Sequence, residues 1–533
     1  MPLASWPNNR KVPILGLMSP TKRIVLNIAA TYGRSLFGLA CGIFSGRWVL
    51  QALGQNDYGL YGVVGGLTFF IAFFNSVLSS ATGRYYAVSV GQAQNDQSGG
   101  IEECRRWFNA SMAIHFWIPC ALMAIGYPLG MYAVNHWLTI PPDRIEPCRM
   151  VFRCVCVSCF VGMINVPFTA MYTAKQYIAE LSIYGVVQST ANLCMLYYMV
   201  THAGDWLAGY ALGACLISVA PQAFICIRAF FVFKECRVKI EYMGDFPRIR
   251  RLGSFAGWQL VGLLGALLRG QGVAILVNKY FTPSVNAAMS VANSVNSQMS
   301  SLSGAMVGAF SPVIITAYGA GNLDEMRKYA MRACKFGLAL VLLFLLPLSC
   351  ELSYVMRLWL KTPPPYTIGL CYCMMFILMF EKGTVGHYIS VRASGKVAKY
   401  NLFVGGVMLM TLPLAWFFVG LGANAYFVGI AMVTTSALSS LARVFFASRL
   451  TGLSIREWVR SVLMPSVTVG VVSILLPIVI RRMLDPSFMR LVISSAVVEA
   501  VFAICSWRCL LDAEERQFVR SSLAKQFKRF SYR

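Results

Sequence analysis

Long apolar runs alternate with short polar or basic stretches over almost the whole chain. A helix needs about 20 mostly apolar residues to cross a lipid bilayer, and fourteen such runs lie between charged or turn residues. Their approximate bounds are 24–46, 59–80, 108–134, 150–172, 179–200, 206–232, 253–278, 286–312, 330–355, 366–390, 399–420, 424–446, 460–480 and 488–510. The pattern predicts an all-α polytopic membrane protein with about 14 transmembrane helices.

The composition supports a membrane protein over a soluble one. Of the 533 residues, 57% are hydrophobic and 13% are charged, whereas about 25% of a soluble domain is charged. A net charge of +25 in a soluble chain would suggest nucleic-acid binding, but here the basic residues lie in short segments between apolar runs. We therefore expect no nucleic-acid partner and, instead, contact with the anionic headgroups of membrane lipids.

The distribution of basic residues predicts the orientation of the chain. If both termini are cytoplasmic, the cytoplasmic segments hold 34 of the 46 Lys and Arg residues, the opposite side 10 and the membrane interior 2. Cytoplasmic loops are enriched in basic residues, so this orientation is the expected one. One connection departs from the rule, because Arg481, Arg482 and Arg490 fall on the outer side. Either that hairpin is misassigned or these arginines meet phosphates of the outer leaflet or of a cargo.

The two halves of the chain share a weak internal repeat. The matching segments keep their order and a nearly constant shift of about 220 to 228 residues. They pair Ala87–Asp96 with Ile315–Asp324, Ala174–Leu181 with Ser394–Asn401, and Gly204–Gly209 with Ala423–Gly429. Duplication of six helices keeps both copies in one orientation. The repeat thus predicts two pseudo-symmetric six-helix lobes followed by two extra C-terminal helices.

Together these features predict six regions. They are a cytoplasmic N-terminus (1–23), an N-lobe (24–232), a basic cytoplasmic linker (233–252), a C-lobe (253–446), the two added helices (447–510) and a cytoplasmic amphipathic tail (511–533). In the tail, Asp512 and Glu515 have the spacing of a helix capping box. One apolar face follows among basic residues and consists of Val519, Leu523, Phe527 and Phe530. This pattern favours a helix lying at the membrane interface over one that docks onto a partner.

Two arginines inside apolar runs are the strongest functional signal. Arg34 lies within the first run and Arg269 within the seventh. An arginine in lipid costs at least a few kcal/mol, so it is found where a cavity or a partner receives it. A guanidinium can hold a phosphate or carboxylate with two parallel hydrogen bonds. A structural salt bridge is the alternative, and Glu351, Glu381 and Glu499 are the acids in or at the edge of the later helices.

Polar residues on the same helix faces extend the predicted substrate site. Asn27 and Thr31 accompany Arg34 at helical spacing, and Asn293 and Ser297 lie on one face of the next run after Arg269. Glu381 and His387 are candidates for coupling to protons or sodium, because acids and histidines in transporter helices often relay charge. An ion pair between Glu381 and Lys382 at the end of the helix is the alternative for that acid.

Nothing in the sequence predicts covalent chemistry or a bound cofactor. Cys156 and Cys159 have CxxC spacing but no second ligand cluster, so we interpret them as small helix-packing residues and expect no metal. No Walker A, GxSxG or HExxH motif occurs, and the short outer connections leave little room for chemistry. A transporter is therefore favoured over an enzyme.

Three stretches resemble a known family. ALGQNDYGLYGVVGGL (Ala52–Leu67), ATGRYYAVSVGQ (Ala81–Gln92) and ASGKVAKYNLFVGGVMLMTLPLAW (Ala393–Trp416) are similar to the polysaccharide transporter, or O-antigen flippase, family. That family belongs to the multidrug/oligosaccharidyl-lipid/polysaccharide exporter superfamily. Neither Arg34 nor Arg269 matches an invariant residue of the family.

The resemblance implies two six-helix lobes around a central cavity that opens alternately to each side of a bacterial inner membrane. It implies as cargo an undecaprenyl-pyrophosphate-linked oligosaccharide moved to the outer leaflet for lipopolysaccharide or O-antigen biosynthesis. Other membrane proteins of polysaccharide assembly would then be partners. A cation-coupled multidrug exporter and a membrane-embedded glycan-assembly enzyme are the alternatives.

Overall fold

The chain folds into helices arranged in two compact units. The structure is a computed structural model, and it describes residues 20–521 except residues 95, 96, 139, 282, 361 and 518. Met1–Leu252 belong to unit 1 and Gly253–Arg533 to unit 2. No β-strand occurs in the described residues.

Unit 1 is built from six long helices and one short helix. Proline residues lie inside three of the long helices, and the third ends in a π-helical turn, Ala133–Trp137. The helices are α1 (Pro20–Gly66), α2 (Phe69–Gln92), α3 (Gln97–Tyr132), α4 (Ile145–Ala174), α5 (Ile178–Thr201), α6 (Leu207–Val232) and α7 (Ile240–Met243).

Unit 2 contains more breaks than unit 1. Its helices are α8 (Phe246–Tyr280), which starts just before the unit boundary, α9 (Pro283–Gly319), α10 (Leu323–Leu360), α11 (Thr367–Gly383), α12 (Val385–Ser394), α13 (Ala398–Leu409), α14 (Thr411–Gly420), α15 (Tyr426–Thr451), α16 (Ile455–Trp458), α17 (Met464–Met483) and α18 (Phe488–Cys505). A π-helical turn, Val459–Leu463, joins α16 to α17.

The helices confirm a multi-pass membrane protein, although not the number of crossings. In the described part of the chain, 10 helices are long and apolar enough to cross a bilayer, or up to 12 if each bent pair is one span. The bent pairs are Ala287–Ser301 with Met306–Gly319 and Thr367–Gly383 with Val385–Ser394. Helices α2 and α5 match two predicted spans but are not among the 12, so the count of 14 stays a prediction.

The first connection lies where the apolar pattern predicted it, but it is a short break and not a loop. The sequence predicts a connection between runs 24–46 and 59–80, and within it Gly54 has the non-helical angles φ 75° and ψ 170°, so that two helical segments of α1 meet there. Glycine adopts this conformation without the steric cost of a Cβ. The second segment continues to Gly66 and the chain turns again at Gly65–Thr68, so the run 59–80 contains a turn that the apolar pattern did not predict.

Helix boundaries repeat between the two units. Helix α4 ends at Ala174 and α12 at Ser394, which is 220 residues later, and α5 and α13 begin at Ile178 and Ala398 with the same offset. Helices α6 and α15 start 219 residues apart, at Leu207 and Tyr426. Unit 2 divides into α11 with α12, and into α13 with α14, where unit 1 has the continuous helices α4 and α5.

The linker before unit 2 is held against α3. Asn109 is fully buried, its Nδ2 donates to Arg237 O at 3.1 Å and its Oδ1 accepts from Lys239 N at 2.7 Å. The Tyr242 hydroxyl donates to Glu102 at 2.5 Å. These bonds satisfy both sides of one buried amide, so the linker follows α3 over this stretch.

The two added helices pack on α10 through an apolar cluster and a buried ion pair. Leu338, Leu342 and Leu346 meet Val469, Val498 and Phe502. Arg490 Nη2 lies 2.7 Å from Glu351 Oε2, with side chains 6% and 1% exposed. Ser494 donates to the other carboxylate oxygen at 3.2 Å. Arg490 thus meets a glutamate of α10 and not a phosphate of the outer leaflet or of a cargo, while the side of the membrane on which the hairpin lies stays a prediction.

The start of the tail docks on α10. Asp512 N donates to Glu515 Oε2 at 3.0 Å and Glu515 N to Asp512 Oδ1 at 2.8 Å, so the predicted capping box forms. Lys335 Nζ lies 2.5 Å from Glu515 Oε2, and both side chains are 8% exposed. Arg332 and Lys328 contact the neighbouring Glu514. Of the predicted apolar face, only Val519 lies within the described residues.

Docking of the tail should weaken in acid. Burial raises the pKa of Asp512, but the hydrogen bond from Glu515 N and the charges of Lys335 and Arg332 outweigh it and lower the pKa below 3.8. The Lys328 hydrogen bond similarly lowers the pKa of Glu514 below 4.5. The ionised carboxylates of Asp512 and Glu514 therefore stabilise the docked tail fully above pH 3.8 and 4.5, their ordinary pKa values. This stabilisation is lost as the pH falls through the lowered pKa values.

We expect hydrogen exchange of residues 511–517 to be slow at pH 7 and to accelerate, after correction for intrinsic rates, below about pH 4. Glu515→Gln should bring much of this acceleration to pH 7. Equal protection in the variant and the parent at pH 7 would contradict the ionic docking.

Candidate functional site

Arg269 lies deep inside an apolar helix and meets a polar face of another helix. It is eleven residues before the end of α8, which is about 17 Å at 1.5 Å per residue. Its Nη1 donates to Ser436 Oγ of α15 at 2.9 Å. It forms no ion pair with a carboxylate of the described chain. The alternative of a direct structural salt bridge at Arg269 therefore finds no support.

One acid lies within electrostatic reach of Arg269. Glu381 of α11 acts on Arg269, on Lys382 and on Arg443 of α15. Lys382 Nζ donates to Ser300 Oγ of α9 at 3.2 Å, and in the described residues it forms no ion pair with its neighbour Glu381. The sequence alternative of a helix-end ion pair is therefore not seen.

Arg443 is a cation that the sequence analysis did not count in the membrane interior, although it lies three residues before the end of the predicted run 424–446. Helix α15 continues to Thr451, which places Arg443 about 12 Å inside the helix end. Its guanidinium interacts with the Tyr400 hydroxyl and lies 5.6 Å from the ring centroid of Tyr388. The spacing of Ser436, Ser439 and Ser440 before it was the available signal, since all four share one helix face.

We call Arg269, Glu381, Lys382 and Arg443 the unit 2 charge cluster. It contains three cations and one carboxylate. Charges inside a membrane protein are normally paired or face water or a ligand. The excess of positive charge is therefore the main chemical property of this part of unit 2.

Arg34 is a cation of unit 1 that, unlike the unit 2 charge cluster, is exposed on its helix. Its side chain is exposed on α1 and makes no ion pair with the residues that the structure describes. The aliphatic stem crosses α5 at Gly185, where an added Cβ would lie 2.5 Å from Arg34 Cδ. The missing side chain at Gly185 thus sets the direction of Arg34.

The polar residues predicted beside Arg34 serve the helix packing. Asn27 is fully buried, its Nδ2 donates to Gln176 O at 3.1 Å and its Oδ1 accepts from Ala179 N at 3.1 Å. Thr31 donates to Asn27 O within α1 at 2.7 Å. These bonds hold α1 at the turn between α4 and α5. Asn293 and Ser297, by contrast, are exposed on α9.

His387 is buried and contacts Cys334 and Trp458. Its side chain is 1% exposed, its Nδ1 lies 3.4 Å from Cys334 Sγ, and its ring packs against Trp458 at 5.6 Å between centroids. Its Nε2 has no hydrogen-bond partner in the described part of the chain. Thr384 separates α11 from α12 between Glu381 and His387, so the two predicted coupling residues lie on opposite sides of a helix break.

Displacing the Arg34 side chain by a substitution at Gly185 should reduce transport while leaving the fold intact. A methyl group at Gly185 would displace the flexible Arg34 stem, so in Gly185→Ala we expect transport to fall by up to about tenfold, equal to ~1.4 kcal/mol. The thermal unfolding midpoint in detergent should stay close to that of the parent. Gly42→Ala, where an added Cβ meets open space, is the control and should transport normally. Full transport by Gly185→Ala would argue against a role for the orientation of Arg34.

Comparisons with known proteins identify the fold. No family model matches the chain, and no curated protein matches it either. One similar solved structure is a MOP superfamily transporter from Pyrococcus furiosus, whose binding pocket of reverse polarity suggests a different function. The two chains are 14% identical, the match covers 82% of this chain and 98% of that chain, and the TM-score is 0.65. An outward-facing multidrug resistance MATE family transporter of the same superfamily is 14% identical, with coverage of 83% and 98% and a TM-score of 0.67. A MATE structure in the bent conformation is 15% identical, with coverage of 82% and 97% and a TM-score of 0.65. At this identity the likeness shows the fold alone, which this chain shares with these solved transporters.

Proposed function

We propose that the protein is a flippase for an anionic lipid-linked oligosaccharide. In this proposal it works by alternating access in a bacterial inner membrane and moves an undecaprenyl-pyrophosphate-linked glycan from the cytoplasmic to the outer leaflet. Both termini lie in the cytoplasm, and the glycan serves surface polysaccharide or O-antigen biosynthesis. The observation that carries the proposal is the excess of cations inside the helices of unit 2.

The sign of the charge selects the class of cargo. A diphosphate diester carries about two negative charges at neutral pH, which offsets the excess of two cations over Glu381 in the unit 2 charge cluster. Attraction between opposite charges is strong where water is scarce. A cationic drug would meet repulsion at the same place. The cluster therefore favours an anion as the transported headgroup.

Unit 1 carries its own exposed cation, which in this proposal also meets the cargo. Arg34 is exposed on α1 and forms no ion pair in the described residues, so its donors are free to meet a phosphate oxygen bidentately. Asn293 and Ser297 expose amide and hydroxyl groups on α9 that suit the hydroxyl groups of a sugar. Asn27 and Thr31 keep a supporting role, since their bonds fix α1.

A cation-coupled multidrug exporter is the second candidate. Glu381 favours it, because a carboxylate among membrane helices can bind a proton or sodium. In the flippase proposal, Glu381 and His387 would serve coupling to protons or sodium. Drug resistance on overexpression, lost in Glu381→Gln, would support the exporter. A membrane-embedded glycan-assembly enzyme would show glycosyl transfer by the purified protein.

The decisive test is to delete the gene and identify the lipid-linked intermediate that accumulates. The proposal expects an undecaprenyl-pyrophosphate oligosaccharide on the cytoplasmic side and loss of the surface glycan. Complementation with the parent gene should restore the glycan, while Arg34→Ala and Arg269→Ala should not. Full surface glycan with both variants would contradict the proposal, as would a deletion strain with normal glycan and no accumulated intermediate.

A further inference from the structure

One face of α15 presents hydroxyl groups that its own helix does not use. Ser436, Ser439, Ser440 and Arg443 are spaced three, one and three residues apart, which puts them on one side. Thr434 and Thr435 of the same helix donate to the carbonyl groups four residues earlier, at 2.9 Å each. The hydroxyl groups of Ser439 and Ser440 are buried and have no partner among the described residues.

Two further buried donors near this face are unpartnered. Arg443 Nε and Asn401 Nδ2 find no hydrogen-bond acceptor in the part of the chain that the structure describes. Asn401 is 4% exposed and packs on α8, where a Cβ at Gly262 would lie 3.0 Å from its Oδ1. A native interior normally satisfies its buried polar groups. Four unsatisfied donor groups on two neighbouring helices, α13 and α15, therefore indicate that an acceptor belongs there.

Two of these donors, Ser439 and Ser440, lie between two guanidinium groups along α15. Arg269 meets Ser436, and Arg443 follows Ser436 by seven residues, which is about 10 Å along α15. Ser439 and Ser440 lie between these two levels. Helix α8 runs close beside α13 at Gly265, where a Cβ would lie 2.8 Å from Gly405 backbone atoms. Ser439 and Ser440 thus lie along α15 with a cation on either side of them, and Asn401 of α13 packs on α8.

The net charge requires an acceptor with negative charge. Glu381 acts on both arginines, yet neither forms an ion pair with it in the described chain. Neutral water would satisfy the hydroxyl groups but would leave two positive charges in excess. A group with several oxygens and about two negative charges satisfies both the donors and the charge.

We propose that Arg269 and Arg443 frame an oxyanion site in unit 2 that takes a diphosphate or phosphate group. Ser439, Ser440 and Asn401 donate to its oxygens, and Ser436 orients Arg269. The inference rests on the proposed function in one respect, because the headgroup of the lipid-linked cargo is then the natural occupant. Free pyrophosphate has the same chemistry and is the other source.

Binding to the purified full-length protein in nanodiscs tests the site. The probes are undecaprenyl pyrophosphate in the nanodisc lipid and inorganic pyrophosphate in solution, each followed by the shift of the thermal unfolding midpoint and by titration calorimetry. We expect binding of the lipid by the parent, at least about tenfold weaker binding by Arg443→Gln, and a several-fold loss in Ser439→Ala/Ser440→Ala. Arg449→Gln changes an exposed arginine of the same helix that lies over Phe445 and should bind normally.

A variant of opposite charge separates binding from folding. Ser440→Asp places a carboxylate among the cations, so we expect an unfolding midpoint equal to or above that of the parent together with complete loss of binding. This result would support the site even if Arg443→Gln folds poorly. Undiminished binding by Ser440→Asp, or by the folded double serine variant, would overturn it.

The experiments distinguish the lipid headgroup from free pyrophosphate as the occupant, and the oxyanion site from the flippase function. Binding of the lipid alone assigns the site to the cargo headgroup, whereas binding of inorganic pyrophosphate with equal affinity assigns it to the free anion. If the parent binds the lipid and the deletion strain accumulates the intermediate, but Arg443→Gln binds normally, the site is wrong and the flippase proposal stands. If Arg443→Gln loses pyrophosphate binding but the deletion strain makes normal glycan, the site stands and the flippase proposal fails.

Discussion

Replacing Arg269 with alanine should abolish transport and leave the protein at least as stable as the parent. A hydrogen bond to a charged group contributes about 1.5–3 kcal/mol. Loss of the bonds between Arg269 and a cargo phosphate therefore corresponds to roughly a 10- to 100-fold loss of affinity for the cargo. Stability should not fall, because Arg269 is a charge removed from water that has one neutral hydrogen-bond partner, Ser436, and the cost of its burial exceeds both the attraction by Glu381 and the smaller repulsion by Arg443. An arginine with a structural role would behave in the opposite way.

The measurement compares surface glycan in a complemented deletion strain with thermal unfolding of the purified variant in detergent. Lys279→Ala is the matched control, since Lys279 is an exposed cation at the end of the same helix and should be dispensable. Arg269→Lys retains the charge but not the planar fork, so intermediate transport is expected. A large drop in the unfolding midpoint of Arg269→Ala would show that this arginine is needed for folding.

Breaking the buried pair of Glu351 and Arg490 should give the largest loss of stability. Removing one partner of a buried ion pair commonly costs about 3–5 kcal/mol, because the remaining charge is left without compensation. Arg490→Met leaves the Glu351 carboxylate with Ser494 as its hydrogen-bond partner. We therefore expect a strongly lowered unfolding midpoint in detergent and reduced amounts of protein in the membrane.

The double variant Glu351→Leu/Arg490→Met separates the two sources of this loss. Apolar replacement of a whole buried pair is often close to neutral, so most of the stability should return. Arg481→Met, which changes an exposed arginine near the same hairpin, should have little effect. If the double variant is as unstable as Arg490→Met alone, the cost comes from lost packing and not from the unpaired carboxylate.

The apolar pattern predicted where helices occur but not where they bend. All predicted runs but one correspond to a helix or a broken pair of helices, because twenty apolar residues have few alternatives in a bilayer. The exception is the run 59–80, which contains the turn at Gly65–Thr68, whereas the break at Gly54 lies in the connection that the sequence predicted. The break at Thr384 lies inside an unbroken run and depends on contacts with distant helices.

The site was predictable only in its isolated charges. Arg34 and Arg269 stand out in apolar sequence, whereas Arg443 lies three residues before the end of the predicted run 424–446 and was not counted as internal, although α15 continues for eight residues beyond it. The partner of Arg490 is 139 residues away, which no local pattern can show. The structural role of Asn27 likewise depends on residues 149 to 152 positions away.

The break at Thr384 gives the two copies of the repeat different mechanical properties. Unit 1 has the continuous helix α4, whereas unit 2 has α11 and α12 at an angle of 47° to each other. A break inside a bilayer persists only where its freed carbonyl groups find donors, and Trp458 Nε1 donates to Gly383 O at 2.8 Å. We expect α4 of unit 1 to move as one rigid helix, and α11 and α12 of unit 2 to change their angle at the break that Trp458 holds. Because Glu381 and Lys382 lie one turn before Thr384, we expect a change in their charge state to change the angle between α11 and α12.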